Sequence, residues 1–253
     1  MSDYIALVPL SVQLFFVAIV GLVLGSFATA LTHRIPLGQD IGFNKKVRSE
    51  CTSCGHKLST LDLFPVFSWL FLKGQCRYCK ARISVLYPAI ELACVAAVLG
   101  IYAVYGFTAQ GMVALFAMPF LLALLAIDLR HFILPDALVG GLLVFGFMFH
   151  GWQAVHFIVP ALSFAVILWL LGWIMGRLLK KEALGFGDVK FFGVAGFWLG
   201  FPALAPLCLM AGMFGVVMGL VWKVALKSDI FPFGPALIVS FYACLLLRGL
   251  NII

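Results

Sequence analysis

Long apolar segments recur along the whole chain and are separated mostly by short polar connections. A helix of roughly 18–20 apolar residues is long enough to cross a bilayer once, and several of these segments contain no charge. Hydrophobic residues make up 64% of the 253 residues and charged residues 11%, which is too little polar surface for a soluble globule of this size. The sequence therefore predicts an all-α polytopic membrane protein with about eight transmembrane helices. The predicted spans are residues 8–32, 86–105, 112–127, 137–149, 157–176, 191–203, 206–222 and 234–250.

The basic residues are concentrated in alternate connections. With eight spans, residues 33–85, 128–136, 177–190 and 223–233 share one side of the membrane, and they hold all of the 17 lysines and arginines except Arg248. This face is predicted to be cytoplasmic, with both termini outside, because Lys and Arg collect on that side. Topology and attraction to anionic membrane lipids then explain the net charge of +7. The charge therefore needs no nucleic-acid partner; a basic nucleic-acid-binding loop is the alternative, and no stacking-aromatic motif supports it. The basic residues on this face are Arg34, Lys45, Lys46, Arg48, Lys57, Lys73, Arg77, Lys80, Arg82, Arg130, Arg177, Lys180, Lys181, Lys190, Lys223 and Lys227.

The one long polar insertion, residues 33–85, contains four of the seven cysteines. Cys51 with Cys54 and Cys76 with Cys79 form two Cys-x-x-Cys pairs separated by 21 residues, close to the spacing of tetrahedral zinc sites. A cytoplasmic location disfavours structural disulfides, and a domain this small needs a stabilising cross-link. We therefore predict a small zinc-ribbon-like domain with structural Zn²⁺ between the first and second transmembrane helices. A redox dithiol, or cysteines with no joint function, are the alternatives.

Two aspartates lie where apolar segments meet basic connections, both on the predicted cytoplasmic face. Asp128 ends the third predicted span, and Asp188 precedes the sixth. A carboxylate costs about 2.5–3.5 kcal/mol at the bilayer centre, so it is retained mainly where it has a partner, water or a chemical role. Two carboxyls that share one proton can polarise a carbonyl and activate a water molecule. The two aspartates are therefore candidate catalytic residues; alternatively, each marks a helix end or pairs with Arg130 or Lys190.

Glycines flank one of these aspartates and recur within the apolar segments. Gly185 and Gly187 immediately precede Asp188, and we expect them to let the backbone leave helical geometry and support an active-site loop. Elsewhere, pairs at four-residue spacing such as Gly215 and Gly219 favour close packing of membrane helices. Such pairs predict no chemistry.

Several short motifs also occur in a fixed order along nearly the whole chain. They are Gly25-Ser-Phe27 with His33-Arg-Ile-Pro36, the cysteine pairs, Asp62 with Pro65-Val-Phe-Ser-Trp69, Tyr87-Pro-Ala-Ile-Glu91, Ile127-Asp-Leu-Arg-His131 with Leu134-Pro-Asp136, Gly185-Phe-Gly-Asp188-Val-Lys190, and Pro232-Phe-Gly-Pro235. In these motifs and their order, the chain resembles the type IV prepilin peptidases. These are bifunctional leader peptidases and N-methyltransferases of pilus and type II secretion systems.

The resemblance implies that Asp128 and Asp188 form an aspartyl-protease pair in the bacterial inner membrane, facing the cytoplasm. The expected substrates are prepilins or pseudopilins, which lose a basic leader and are N-methylated by S-adenosylmethionine on the new N-terminal residue. A leader peptidase without methyl transfer is one alternative. A proton-coupled transporter, whose aspartates relay protons, is another.

The predicted domains are a first transmembrane helix at 1–32, a cytoplasmic four-cysteine domain associated with methyl transfer at 33–85, and a seven-helix peptidase domain at 86–253. The family usually has Asn where this chain has Thr29, and Asn-Ile where it has Leu63-Phe64. These departures concern methyl transfer more than cleavage. The residues that bind S-adenosylmethionine, the particular pilin and the oligomeric state do not follow from the sequence.

Overall fold

A computed structural model describes residues 8–39, 49–180, 184–227 and 231–253. These residues form nine α-helices and three short 3₁₀ segments, and they contain no β-strand, which confirms the all-helical prediction. Lys45, Lys46, Arg48 and Lys181 lie outside the described residues. The helices are α1 (Leu10–Arg34), α2 (Phe67–Phe71), α3 (Leu86–Tyr105), α4 (Ala109–His131), α5 (Asp136–His150), α6 (Ile158–Leu179), α7 (Phe186–Leu199), α8 (Leu204–Leu226) and α9 (Gly234–Gly249).

Helix length and composition match those of a polytopic membrane protein. Five helical stretches of the described chain are long and apolar enough to cross a membrane, and one of them, Asp136–Leu178, contains both α5 and α6. Helix α9 is shorter but also apolar. Each predicted span overlaps one of the eight long helices, α1 and α3–α9. That all eight cross the membrane stays a prediction.

The chain divides into two compact units, Met1–Ala103 and Val104–Ile253. In the first unit, α1 and α3 approach closely because glycines face the partner helix: a Cβ added at Gly25 would lie 2.7 Å from the Cα atom of Glu91. The buried Glu91 side chain accepts a hydrogen bond of 2.6 Å from the backbone N–H of Val66, at the start of α2. This bond ties the segment between the two long helices to α3.

The second unit is built around α7, which has only 14 residues and packs against α5, α6 and α9. Trp198 near the end of α7 is fully buried, and its indole N–H donates to the Leu142 carbonyl oxygen of α5 at 2.9 Å. Because its neighbours cover most of α7, the first turn of the helix is held in a defined position. The other large side chains of α7 that are buried are Phe191, Phe192 and Phe197.

Candidate functional site

Asp128 lies in the last turns of α4 and is buried, with 5% of its surface exposed. The helix ends at Phe132, which has a left-handed backbone and donates its N–H to the Asp128 carbonyl oxygen at 3.0 Å. The Asp128 carboxylate is bound by a different helix: its Oδ2 atom accepts a hydrogen bond of 3.0 Å from the Gly234 backbone N–H, at the start of α9. The side chain is therefore fixed by two helices that are far apart in sequence.

Asp188 lies in the first turn of α7 and is partly exposed. The helix begins after Gly185, whose backbone is extended, and the Asp188 N–H donates to the Gly185 carbonyl oxygen at 3.1 Å. The Gly185 backbone also hydrogen bonds to the Asp188 carboxylate. A negative charge in the first turn is favourable because unpaired N–H groups and the helix dipole are positive there.

The helices that carry the two carboxyls pack in the same unit, although α5 and α6 separate them in the sequence. The carboxyls of Asp128 and Asp188 interact electrostatically, and α9 packs against both α4 and α7. Two interacting carboxyls of this kind favour the form in which one is protonated and the other ionised. Such a pair provides a general acid and a general base at the same place.

The ion pairs of the described residues argue against the alternative in which the two aspartates pair with Arg130 or Lys190. Lys190, one of the partners considered from sequence, pairs with Asp136 in the first turn of α5. The second ion pair joins Arg77 to Asp62 in the other unit. Neither pair includes Asp128 or Asp188.

The expected loop at Gly185 and Gly187 is present only in part. Gly185 is extended as predicted, but Gly187 is helical because α7 already begins at Phe186. Gly187 instead allows close packing, since a Cβ there would lie 3.1 Å from the Cβ atom of Leu134. A Cβ at Gly185 would lie 3.3 Å from Oδ2 of Asp188, so any side chain at this position would crowd the carboxylate.

The four cysteines of the insertion meet in one cluster. The Sγ atoms of Cys51, Cys54, Cys76 and Cys79 all lie within 4.8 Å of one another, and those of Cys51 and Cys79 are 3.8 Å apart. Four thiolates bound tetrahedrally to one zinc ion at about 2.3 Å are separated by about 3.8 Å. The cluster therefore has the donor type, number and spacing of a structural zinc site.

The two cysteine pairs adopt the same local turn. The Cys51 N–H donates to the His56 carbonyl oxygen at 2.9 Å, and the Cys76 N–H donates to the Ala81 carbonyl oxygen at 2.8 Å. The residue after each second cysteine, Gly55 or Lys80, has positive φ. Each turn thus points two sulfur atoms to the same side, which is how paired Cys-x-x-Cys motifs hold zinc.

The environment of Cys51 favours the thiolate, the form that binds metal. Hydrogen bonds from the Ser53 and Cys54 backbone lower the pKa of Cys51 to about 6. Beside the cluster, Arg77 donates to Asp62 at 2.7 Å, and Ser59 donates to the same carboxylate through its N–H and its hydroxyl. Asp62 therefore links the segment between the pairs to the second turn.

Comparison with known proteins identifies the family. Residues 19–105 match the model of the bacterial peptidase A24 N-terminal domain, and residues 115–220 match the model of the type IV leader peptidase family. A prepilin leader peptidase/N-methyltransferase of Burkholderia pseudomallei (strain K96243) is 33% identical, over 92% of this chain and 84% of the relative. The chain belongs to the type IV leader peptidase family.

Other members of this family bear the same name. Proteins called prepilin leader peptidase/N-methyltransferase from Pectobacterium carotovorum subsp. carotovorum and Aeromonas hydrophila are 33% and 34% identical. The matches cover 92% and 89% of this chain, and 93% and 87% of the relatives. No solved structure matches the chain. Family membership confirms the recognition made from the motifs and the prediction of a prepilin-peptidase-type enzyme.

The sequence motifs alone assign no role to Gly234, although it contacts Asp128 in this site. In the sequence it is only part of the Pro232-Phe-Gly-Pro235 landmark, whereas the fold brings its N–H to Asp128. The only sequence signal for Gly234 is its place beside two prolines at the start of an apolar segment. It predicts a tight helix start, but it does not predict the partner.

Proposed function

We propose that this chain is a membrane-embedded aspartyl endopeptidase that removes the basic leader peptide from type IV prepilins or type II secretion pseudopilins. The observation that carries the proposal is the interacting pair of Asp128 and Asp188 on two helices of one unit. Membership of the leader peptidase family supports the reaction class, and the relatives' name supports the substrate class.

The pair accounts for hydrolysis without a covalent intermediate. The ionised carboxylate takes a proton from water as the water oxygen attacks the carbonyl carbon of the scissile peptide bond, and the protonated carboxyl gives its proton to the carbonyl oxygen. Collapse of the tetrahedral intermediate breaks the C–N bond: the newly protonated carboxyl gives its proton to the leaving amine, and a hydroxyl of the intermediate gives its proton to the other carboxylate, which restores the starting pair. Gly185 places no side chain beside Asp188, which suits the close approach of an extended substrate chain.

The relatives' name includes a second activity, and we propose that this chain also methylates the new N-terminal amine. By resemblance, the methyl donor is S-adenosylmethionine. The described residues contain no set that identifies its binding site, so no residue is assigned to it. Cys51, Cys54, Cys76 and Cys79 would hold zinc, which supplies structural stability to residues 49–85 and no chemical step.

The site is proposed to face the cytoplasm from the bacterial inner membrane, where a basic leader would also remain. Thr108 and Gln153 are exposed and lie in connections predicted to be outside, whereas the exposed Lys73 lies in the basic insertion. A cysteine introduced at either of the first two positions should react with an impermeant thiol reagent added to intact cells. The labelling of each variant should exceed that of the parent protein, which contains only the native cysteines. A cysteine at Lys73 should react only after lysis. The opposite pattern would reverse the orientation.

Purified protein and a full-length prepilin provide the test of the peptidase. Asp128→Asn and Asp188→Asn should each lower cleavage by about a thousandfold or more, because each removes one member of the acid/base pair. Asp136→Asn is the matched control, since Asp136 also lies in a first helical turn but is 77% exposed and pairs with Lys190. It should retain nearly full cleavage. Mass spectrometry of the products measures the result, and near-normal turnover by either of the first two variants excludes the mechanism.

A further inference from the structure

The contact between Gly234 and Asp128 joins a buried carboxylate to the beginning of a helix. Gly234 is the first residue of α9, so its N–H has no partner within that helix. This N–H donates to Oδ2 of Asp128 at 3.0 Å, and both residues are buried. A hydrogen bond from a backbone N–H to an ionised carboxylate is stronger than one between neutral groups, and the helix dipole adds to it.

The approach of the two groups requires a glycine. A Cβ added at Gly234 would lie 2.5 Å from Oδ2 and 2.8 Å from Cγ of Asp128, distances that force one of the two residues to move. The next residue, Pro235, has no N–H to offer. The donor and the missing side chain are therefore both properties of this one position.

The segment that carries Gly234 is itself anchored on α8. A Cβ at Gly219 would lie 3.2 Å from the ring of Phe231, and a Cβ at Gly215 would lie 3.0 Å from the ring of Phe233. The two aromatic rings thus pack on the glycine face of α8 on either side of Pro232. This gives the Gly215 and Gly219 spacing a specific role, since it seats the two rings and fixes where α9 begins.

We infer that Gly234 is a positioning residue for the peptidase reaction: its backbone N–H holds the Asp128 carboxylate in the orientation in which it works with Asp188. The inference rests on the proposed function of the aspartate pair. Displacement of a reacting group by about 1 Å can cost about a hundredfold in rate. Gly234 touches neither the substrate nor the scissile bond in this scheme, and it acts entirely through Asp128.

The most direct test removes the donor without adding an atom to the side chain. Glycolic acid incorporated at position 234 replaces the backbone N–H with an ester oxygen, and Gly234→Ala separately introduces the Cβ. The same two changes at Gly140 are the control, because Gly140 is an exposed glycine of α5 with nothing within 4 Å of an added Cβ. The measurements are kcat and KM for prepilin cleavage and the thermal stability of each purified protein.

The expected result is a fall in kcat of about tenfold or more for both changes at position 234, with KM within about twofold of the parent. The two changes at Gly140 should leave kcat within about twofold, which separates the effect from general weakening of a helix. An unchanged kcat for the ester at 234, or an equal loss for the ester at 140, overturns the inference. If instead Asp128→Asn remains active, the aspartate mechanism itself fails, so the two failures are distinguishable.

Discussion

The cysteine cluster and the aspartate pair illustrate two ways of building a site. Cys51, Cys54, Cys76 and Cys79 lie within 29 consecutive residues, and two similar turns point their sulfur atoms to one place. Asp128 and Asp188 instead interact because long helices pack in the second unit, and Gly234 binds Asp128 from a third helix. The geometry of the cysteine cluster depends on local turns, whereas that of the aspartate pair depends on the packing of a whole helical unit.

This difference between a local and a long-range site predicts how each site responds to amino-acid substitutions. A metal site in a small segment contributes much of that segment's folding free energy, so loss of one ligand should loosen the segment as a whole. The proposed catalytic aspartates lie in a unit that is stabilised by other contacts, such as the buried aromatic residues of α7. An isosteric change of either aspartate should therefore remove activity without unfolding the protein.

The largest effect that separates the two regions is expected from Asp188→Asn. The variant should lose cleavage of full-length prepilin by about a thousandfold or more, yet still methylate a supplied pilin that has already been cleaved. Methyl transfer needs a free amine and a methyl donor but no activated water. Both reactions are read by mass spectrometry of the pilin. Loss of both by a stably folded variant would instead indicate one shared site.

The next effect concerns Cys76→Ser, which removes a buried member of the cysteine cluster. The bound zinc should fall from about one ion per chain to nearly none, and residues 49–85 should become sensitive to proteolysis. Prepilin cleavage should fall far less than in Asp188→Asn. Elemental analysis and limited proteolysis provide the measurements.

Cys208→Ser is the matched control, because Cys208 is an exposed cysteine of α8 outside the cluster. It should change neither zinc content nor proteolysis. Parent protein purified without chelators that contains no metal would contradict the zinc assignment.

A smaller effect is expected from Asp62→Asn. Desolvation alone would raise the pKa of Asp62, but hydrogen bonds from Ser59 and Arg77 together outweigh it and hold the pKa below its ordinary value. The variant should lose about 1–2 kcal/mol of stability in residues 49–85, since Arg77 is half exposed and its contribution is screened.

The pH dependence of this loss has a defined sign. A carboxyl whose pKa is lowered by folding stabilises the protein above its unfolded pKa of about 3.9, and the contribution disappears as the pH falls through the folded pKa. The stability difference between parent and Asp62→Asn should therefore be constant from about pH 8 to about pH 6. Hydrogen exchange of this segment gives the measurement. A difference that changes within this range would point to a group other than Asp62.

The smallest effect is expected at the other end of α7. Arg248 donates a hydrogen bond to the Trp198 carbonyl oxygen, and a ring nitrogen of His150 lies 3.2 Å from the same oxygen. Because His150 still contacts that oxygen, Arg248→Met should lower the melting temperature by only a few degrees, about 1 kcal/mol, and leave zinc content unchanged. A large loss of cleavage in this variant would mean that the far end of α7 controls the aspartate pair.

The positions of the helices and the clustering of the cysteines could be predicted from the sequence, because each depends on residues that are close together in the chain. A long apolar run forms a helix wherever its backbone must satisfy its own hydrogen bonds in lipid. Two Cys-x-x-Cys turns can bring four sulfur atoms together whatever the rest of the fold does. The start of α7 was harder to predict from the sequence. The sequence predicted a loop at Gly185 and Gly187, but the helix begins at Phe186 and places Gly187 in its first turn.

The sequence by itself determined the membrane class, the apolar segments, the cysteine spacing and the two candidate aspartates, because composition and short-range patterns carry that information. Only the tertiary structure decided that Lys190 pairs with Asp136 and that the Gly234 N–H binds Asp128. It also decided that the carboxyls of Asp128 and Asp188 lie close enough to interact electrostatically. These contacts join residues 54 to 106 positions apart. Which distant residues meet depends on how α4, α5, α7 and α9 pack together, and no local pattern of residues encodes that packing.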